Sequence, residues 1–214
     1  MLIDLKLAGK TILIVGGGSV GERKAGKFLQ ANSKVIVVSE SFTDGLKQLA
    51  QRGKVKLMKA NFKADSSSIG SLILNSDVVI AATDNRKLNE DIAIEARKRR
   101  VLVCAVDKPS ISDFYLPATT RFGKIRIAIS TGGRSPAMAR ILRKKLEEAI
   151  TSEEVLQVEL QHYARKLAKT HISNKKARRS FLYQIIQNSD INHLLKEGNF
   201  EEAKALAKQI LEHY

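Results

Sequence analysis

Three glycines spaced Gly16-x-Gly18-x-x-Gly21 follow the apolar run Thr11 to Val15, and an acid, Glu40, stands nineteen residues past the last of them. Together these residue types could hold a dinucleotide. The glycines supply backbone freedom for a tight turn, a close approach to a pyrophosphate, and tight packing of the next helix on the strand. Amides at the start of that helix, near Ser19 and Val20, lack partners within the helix and lie at its positive dipole end, where a diphosphate is favoured. Glu40 ends a second strand pattern, Val35 to Val38, where a carboxylate can take both hydroxyls of an adenosine ribose. That acid selects NAD over NADP.

Other candidate groups fall at comparable positions further along. Ala81-Ala82-Thr83-Asp84 closes an apolar strand at the end where an open parallel sheet binds ligands, so Thr83 and Asp84 either line the crevice or cap the helix that follows. Asp107 emerges from the next apolar run, Val101 to Val106, and can move a proton, hold a cation, or serve the turn Asp107-Lys108-Pro109-Ser110. Ser130-Thr131-Gly132-Gly133-Arg134-Ser135-Pro136 precedes another helix. Its hydroxyls, glycines and arginine suit a carboxylate or phosphate, or else Ser135 is an ordinary N-cap with Pro136 at the first helical position. Glu22-Arg23-Lys24 is a solvated face or places Arg23 beside the cofactor phosphates. Cys104, the single cysteine, reads as a buried small hydrophobe. His162, His171, His193 and His213 show no metal-binding spacing.

The elements that must position these groups follow from periodicity. The short, β-branched run Thr11 to Val15 lacks solvent-facing alternation and reads as a buried parallel strand covered by helices on both sides. Leu5-Lys6-Leu7 is expected to pair at an edge. Val20 to Gln30 is the crossover helix; Thr43 to Gln51, Asp65 to Leu74 and Leu88 to Arg99 are further helices, and Val55 to Met58 and Asp77 to Ala82 further strands. Phe114 to Ala118 and Lys124 to Ser130 read as antiparallel strands joined by Arg121-Phe122-Gly123, followed by a helix from Ala137 to Ala149. The remainder is helical: Leu156, Leu160, Tyr163 and Leu167 share one face, Phe181, Leu182, Ile185 and Ile186 another, and Asn199 with Glu202 forms an N-cap pair. The expected fold class is α/β: a Rossmann-type parallel sheet over residues 1–113, a small α+β dimerisation segment over 114–150, and a helical domain over 151–214.

At 214 residues with 43% hydrophobic content the chain can bury a sizeable core. It has no 18-residue apolar stretch, and MLIDLKLAGK carries no long apolar signal core, so a cytoplasmic protein without a membrane span is expected. The net charge is +15 and unevenly spread: residues 114–150 hold 8 basic and 2 acidic side chains, against 10 and 8 in 151–214. A field of that sign concentrates nucleic acid, phosphates or a polycarboxylate alike. Lys175-Lys176-Ala177-Arg178-Arg179 fits a nucleic-acid contact, a solvated helix face, or the rim of an anionic cleft. Aromatic content of 5% with no tryptophan argues against base-stacking platforms.

Taken together, Gly16-Gly17-Gly18-x-Val20-x-x-Arg23-Lys24, Ala81-Ala82-Thr83-Asp84, Val106-Asp107 and Ser130-Thr131-Gly132-Gly133-x-Ser135-Pro136 resemble the precorrin-2 dehydrogenase and sirohydrochlorin ferrochelatase module of siroheme synthases. Order and spacing match across residues 1 to about 150, while the helical tail matches only in kind. The resemblance implies NAD-dependent oxidation of precorrin-2 to sirohydrochlorin by an intertwined homodimer, with 114–150 supplying much of the interface. It implies a cationic cleft for the tetrapyrrole carboxylates, lined by Ser130, Thr131, Gly132, Arg134 and Ser135. Cofactor contacts carry over to Ser19-Val20 and Glu40-Ser41, Thr83 lies near the nicotinamide end, and Asp107 is the catalytic acid or base. Thr131 stands where some relatives have serine. Some relatives also insert ferrous iron, which would make iron a second substrate; the sequence shows no independent metal cluster. The methyltransferase domain fused to this module in some bacterial enzymes has no counterpart, which implies that precorrin-2 is made elsewhere. A different class of function uses the same dinucleotide site without catalysis, as an NAD-sensing regulatory module or a basic nucleic-acid-binding protein.

Overall fold

The computed structural model describes residues 2–60 and 67–214, and in it the buried strand β1 (Thr11–Val15) lies at the middle of a five-stranded parallel sheet. The order is β3-β2-β1-β4-β5, with β2 Lys34–Ser39, β3 Val55–Lys59, β4 Val78–Ala81 and β5 Leu102–Ala105. Val15 registers with Val38 on one side and Ala81 on the other. The chain winds outward from β1 to β3 and then returns to β4 on the opposite flank. Strand order therefore reverses between β1 and β4, and a crevice opens at their carboxyl ends.

Both faces of β1 are covered, which explains its unbroken apolar run. Ile12 and Ile14 pack with Val35, Val37 and Ile80 against Ala25 and Phe28 of α1 (Ser19–Gln30) and Leu46 of α2 (Asp44–Gln51). Leu13 and Val15 pack on the other face against Ile73 of α3 (Ser67–Leu74) and Ile92, Ala93 and Ala96 of α4 (Arg86–Lys98). The residues Asp65 and Ser66, where the third helix was expected to begin, lie outside the described residues.

The turn from β1 into α1 depends on glycine, as Gly16 and Gly21 show. Gly16 holds φ +122°, and a Cβ there would run into the carbonyl of Ala82; a Cβ on Gly21 would run into the carbonyl oxygen of Gly16. The helix can approach the strand this closely only without those atoms.

The chain forms two compact units, residues 1–116 and 117–214, so the expected segments 114–150 and 151–214 fall almost entirely within one unit. The second unit opens with a hairpin of β6 (Ala118–Phe122) and β7 (Ile125–Ile129), joined at Gly123-Lys124. Helix α5 (Pro136–Ala149) packs on it, and Glu147 accepts hydrogen bonds from Thr120 Oγ1 and from Arg143, each 2.7 Å. Helices α6 (Ser152–His171), α7 (Lys175–Gln187), α8 (Ser189–Lys196) and α9 (Phe200–Leu211) enclose a core around Leu160, Phe181, Ile185, Ile191 and Leu195.

Several local expectations are corrected. Leu5 to Leu7 forms no edge strand; Leu7 packs under the sheet, and its carbonyl accepts from Ser33 Oγ at 2.9 Å. The first hairpin strand is Ala118–Phe122, not Phe114 to Ala118, and it takes in Arg121 and Phe122. Pro117 has no amide to donate, and Phe114 and Leu116 are instead packed against the first unit's core. Ile186 is 42% exposed rather than sharing the buried face of Phe181 and Ile185. Asn199 stands at the N-cap of α9 without a side-chain cap bond, whereas Thr151 and Glu154 build a full capping box on α6.

The glycine geometry predicts opposite outcomes for two alanine substitutions in α1. Gly21→Ala should lower unfolding stability by about 1–3 kcal/mol through overpacking. Gly26→Ala, with nothing within 4 Å of the new Cβ, should raise it by about 0.5–1 kcal/mol. Urea titration of the two variants checks the contrast; equal stabilities would refute the close approach at Gly21.

Candidate functional site

The carboxyl ends of β1, β2 and β4 border a cleft of about 740 Å³, within the range of small-molecule sites. Gly16, Gly17, Gly18, Ser19 and Val20 line one wall, Ser39, Glu40 and Ser41 a second, and Thr83, Asp84, Asn85 and Leu88 a third. Glu40 and Ser41 are held over the cleft because the Thr43 amide donates to the Gly17 carbonyl at 3.0 Å, tying the loop after β2 to the glycine turn.

The cleft fits a dinucleotide on two observations. Gly18 is neither strained nor crowded: its φ is −81°, and a Cβ there would meet nothing of the protein, only the space it lines. No contact within the fold requires its lack of a side chain. Gly18 is also the N-cap of α1, and no side chain caps that helix, whereas Thr43, Asn85, Ser135, Thr151, Asn174 and Asn188 each cap theirs. The first-turn amides at Ser19 and Val20 are thus left to whatever occupies the cleft.

Thr83 and Asp84 line the crevice, and the cap of α4 is Asn85, whose Oδ1 accepts from the Leu88 amide at 3.1 Å. Both alternatives weighed for Thr83 and Asp84 are thereby separated. Arg23 is exposed and is not among the lining residues. Its neighbours do not form one solvated face: Glu22 sits against Gly45 at the start of α2, and Lys24 is half-buried, with burial lowering its pKa. Cys104 is buried, and desolvation pushes its thiol pKa up, opposite to the shift a nucleophile needs.

Asp107 follows β5 and is exposed. It does not line the cleft itself but is linked to it through Asn89 of α4. Asn89 Nδ2 donates to Asp107 Oδ1 at 3.1 Å and to the Thr83 carbonyl at 3.0 Å. The signal was present: Asn89, Ile92, Ala93 and Ala96 share the buried stripe of α4, and a polar residue on such a stripe needs partners. Beside it, Lys108 Nζ contacts Glu90 at 2.7 Å, a second tie between the same helix turn and the same loop.

The Ser130 to Ser135 loop belongs to the second unit. Ser135 caps α5 through the Met138 amide at 3.2 Å, Thr131 Oγ1 accepts from the Ser135 amide at 3.0 Å, and Ser130 Oγ accepts from the Gly132 amide at 3.2 Å. Each hydroxyl uses a lone pair on the loop and keeps its own hydrogen for donation. Arg134, Gly132 and Gly133 are exposed beside them. Among the described residues no cluster of His, Cys, Asp and Glu could hold a metal ion, and all four histidines are exposed. No described helix is long and apolar enough to cross a membrane.

Comparison with known proteins agrees with this division. An NAD(P)-binding family matches residues 3–118, and the sirohaem biosynthesis protein central family matches 123–149. A precorrin-2 dehydrogenase of Methanosarcina barkeri is 33% identical over 98% of this chain and 92% of its own. Siroheme synthases of Nitrosococcus oceani and Methylococcus capsulatus are 34% and 36% identical, but this chain spans only 43% and 41% of their lengths. The solved structure of SirC, a precorrin-2 dehydrogenase, superposes over the whole of both chains with a TM-score of 0.75 at 21% identity, a likeness of fold. With an NAD(P)-binding domain at its amino end and a relative of 33% identity aligned nearly end to end, the chain belongs to the precorrin-2 dehydrogenase family.

Proposed function

We propose that this protein oxidises precorrin-2 to sirohydrochlorin with NAD, in the cytoplasm, as a homodimer. The observation that carries the reading is the near end-to-end likeness to a precorrin-2 dehydrogenase, joined to a cleft whose walls suit a dinucleotide. Ser19 and Val20 amides hold the diphosphate, Glu40 with Ser41 takes the adenosine ribose, and Thr83 and Asp84 flank the nicotinamide end. When bound, NAD supplies the hydride acceptor.

The chain's own task is alignment and proton transfer. Precorrin-2 loses one hydride and one proton as a carbon–carbon double bond forms, giving NADH, and the proton passes to the Asp107 carboxylate and from there to solvent. Arg134, with the hydroxyls of Ser130, Thr131 and Ser135 and the open backbone at Gly132, receives substrate carboxylates; a guanidinium matches them in charge and geometry. The excess of basic side chains in 114–150 draws the polyanion to this segment.

Dimerisation through α5 and its hairpin is supported by apolar side chains left uncovered on one helix face. Met138, Ile141 and Leu142 are 45%, 47% and 38% exposed, and their spacing puts them on adjoining turns. Ile141→Glu combined with Leu142→Glu should therefore sediment as a monomer where the parent chain sediments as a dimer. A parent that is already monomeric would remove this part of the reading.

Anaerobic absorbance with precorrin-2 and NAD tests the activity itself. NADH should form together with the sirohydrochlorin spectrum, and Asp107→Ala should slow turnover by about a hundredfold or more while NAD still binds. Ferrous iron added once the trace is flat reads the second activity that the resemblance carries: a further enzyme-dependent spectral change assigns iron insertion. Bound NAD without NADH formation would turn the reading to a sensor.

Gly18→Ala tests the cofactor site apart from catalysis. Stability should fall only by the cost of alanine at a helix N-cap, about 0.5–1 kcal/mol, while NAD affinity falls by about tenfold or more as the new methyl group enters the cleft. Unchanged affinity measured by calorimetry would place the diphosphate elsewhere.

A further inference from the structure

Asn89 is 1% exposed and is one of three buried polar or charged side chains among the described residues. It does not cap α4, since Asn85 does. Its carboxamide has two donor hydrogens and two acceptor lone pairs, and all four are engaged. Oδ1 accepts from the Thr83 amide at 3.2 Å and from the Thr83 hydroxyl at 2.7 Å; Nδ2 donates to the Thr83 carbonyl at 3.0 Å and to Asp107 Oδ1 at 3.1 Å. A reversed amide would set its NH2 against the Thr83 N–H, and its oxygen against the Thr83 carbonyl and the Asp107 carboxylate. Only one orientation satisfies the network.

This single side chain joins a wall residue of the cleft to an acid that the cleft does not contain. Thr83 follows β4 and Asp107 follows β5, two neighbouring strands, and Asn89 reaches both from the helix between them. The acid is engaged through one oxygen only: among the described residues, Asp107 Oδ2 has no hydrogen-bond partner. Lys108, the residue after Asp107, is paired with Glu90, the residue after Asn89, at 2.7 Å. Among the described residues, Asn89 is the hydrogen-bond partner of the Asp107 carboxylate.

We propose that Asn89 is a positioning residue for the dehydrogenation: it holds Asp107 Oδ1 at a set distance from Thr83, so that the other carboxylate oxygen is presented to the substrate carbon's proton. The proposal rests on the reading of Asp107 as the proton acceptor, and it extends that reading to a residue that touches neither cofactor nor substrate. A carboxylate on a loop after a strand can rotate about its side-chain bonds. One hydrogen bond from a rigid, buried donor removes that freedom, and the near-attack geometry is kept between turnovers.

The test is a double-mutant cycle between Asn89→Asp and Asp107→Ala, with kcat measured anaerobically and NAD affinity measured separately by calorimetry. Asn89→Asp keeps the acceptor oxygen used by the Thr83 amide and hydroxyl, loses both donors, to Asp107 and to the Thr83 carbonyl, and sets a second carboxyl beside Asp107. It should lower kcat by about ten- to a hundredfold, the loss expected for one hydrogen bond to a charged group, and leave NAD affinity unchanged. In the Asp107→Ala background the same substitution should add no further loss, because the two residues act as a unit. Should Asn89→Asp melt early, Asn89→Ala is carried through the same cycle. Wild-type kcat in the folded Asn89 variant, or losses that multiply in the double variant, would overturn the proposal. A loss of NAD affinity that accounts for the whole loss of activity would overturn it too, since Asn89 would then act only through Thr83. Failure of the underlying reading looks different: Asp107→Ala alone would turn over like the parent.

Discussion

The approach of one backbone to another at Gly16 is the constraint on which the first unit depends. β1 ends there, its amide still paired to the Val38 carbonyl at 2.9 Å, while the Ala82 amide pairs back to Val15 at 2.8 Å. Any side chain at Gly16 would separate β1 from the residues after β4, and any at Gly21 would lift α1 off the turn. The crevice exists because these two contacts hold its floor while the chain departs to opposite sides. At the other end of the same strands, Asp77 accepts from Lys10 Nζ and from the Thr11 amide, both at 2.8 Å, which fixes the β1 and β4 pairing from below. The functional end is left with glycine backbone and unpaired helix amides; the structural end carries the side-chain ties.

Charge is unevenly spread along the chain, largely offset in residues 1–113 and strongly basic in 114–150. In residues 1–113 the 19 basic side chains are offset by 12 acidic ones, and several acids are tied in pairs such as Arg97 with Asp113 and Lys108 with Glu90. In 114–150 only two acids stand against eight bases, and one of these acids, Glu147, is occupied by Arg143 and Thr120. With eight bases against two acids the segment carries a net positive field. Such a field speeds the arrival of a polycarboxylate and weakens with salt. It carries no information about fold, and the helical core beyond it is apolar and self-contained around Phe181 and Leu160.

Local signals made much of this legible. Strand β1, the glycine turn, α1, β2 and Glu40 are contiguous, so periodicity and turn chemistry report them directly, and the cap at Ser135 with Pro136 behind it is equally local. The hairpin strand was misplaced because alternation runs unbroken through Phe114, Leu116, Ala118, Thr120 and Phe122; what ends the sheet pairing is the missing amide of Pro117, a single atom that periodicity does not weigh. The role of Asn89 is illegible in the sequence for a different reason. Its partners are six and eighteen residues away in opposite directions, and only the pairing of β4 with β5 brings them together. A side chain whose meaning depends on strand order cannot be interpreted before that order is known.

The contrast between Asn89 and Asp107 shows how a sheet edge can fix an acid without burying it. A carboxylate taken into the interior loses its hydration and, unless paired, becomes neutral or destabilises the fold by several kcal/mol or more. A neutral amide with all four hydrogen-bonding positions filled can be buried at a net cost near zero. Here the amide is inside and the acid outside, joined by one bond of 3.1 Å. Solvent keeps the carboxylate hydrated, while the buried amide ties one of its oxygens to the interior. The same logic accounts for Thr83: its backbone and hydroxyl are bound on the inner side by Asn89, which leaves its outer side to the cleft. Position is thus set by the neutral interior, while the charge stays at the rim, where its hydration is kept.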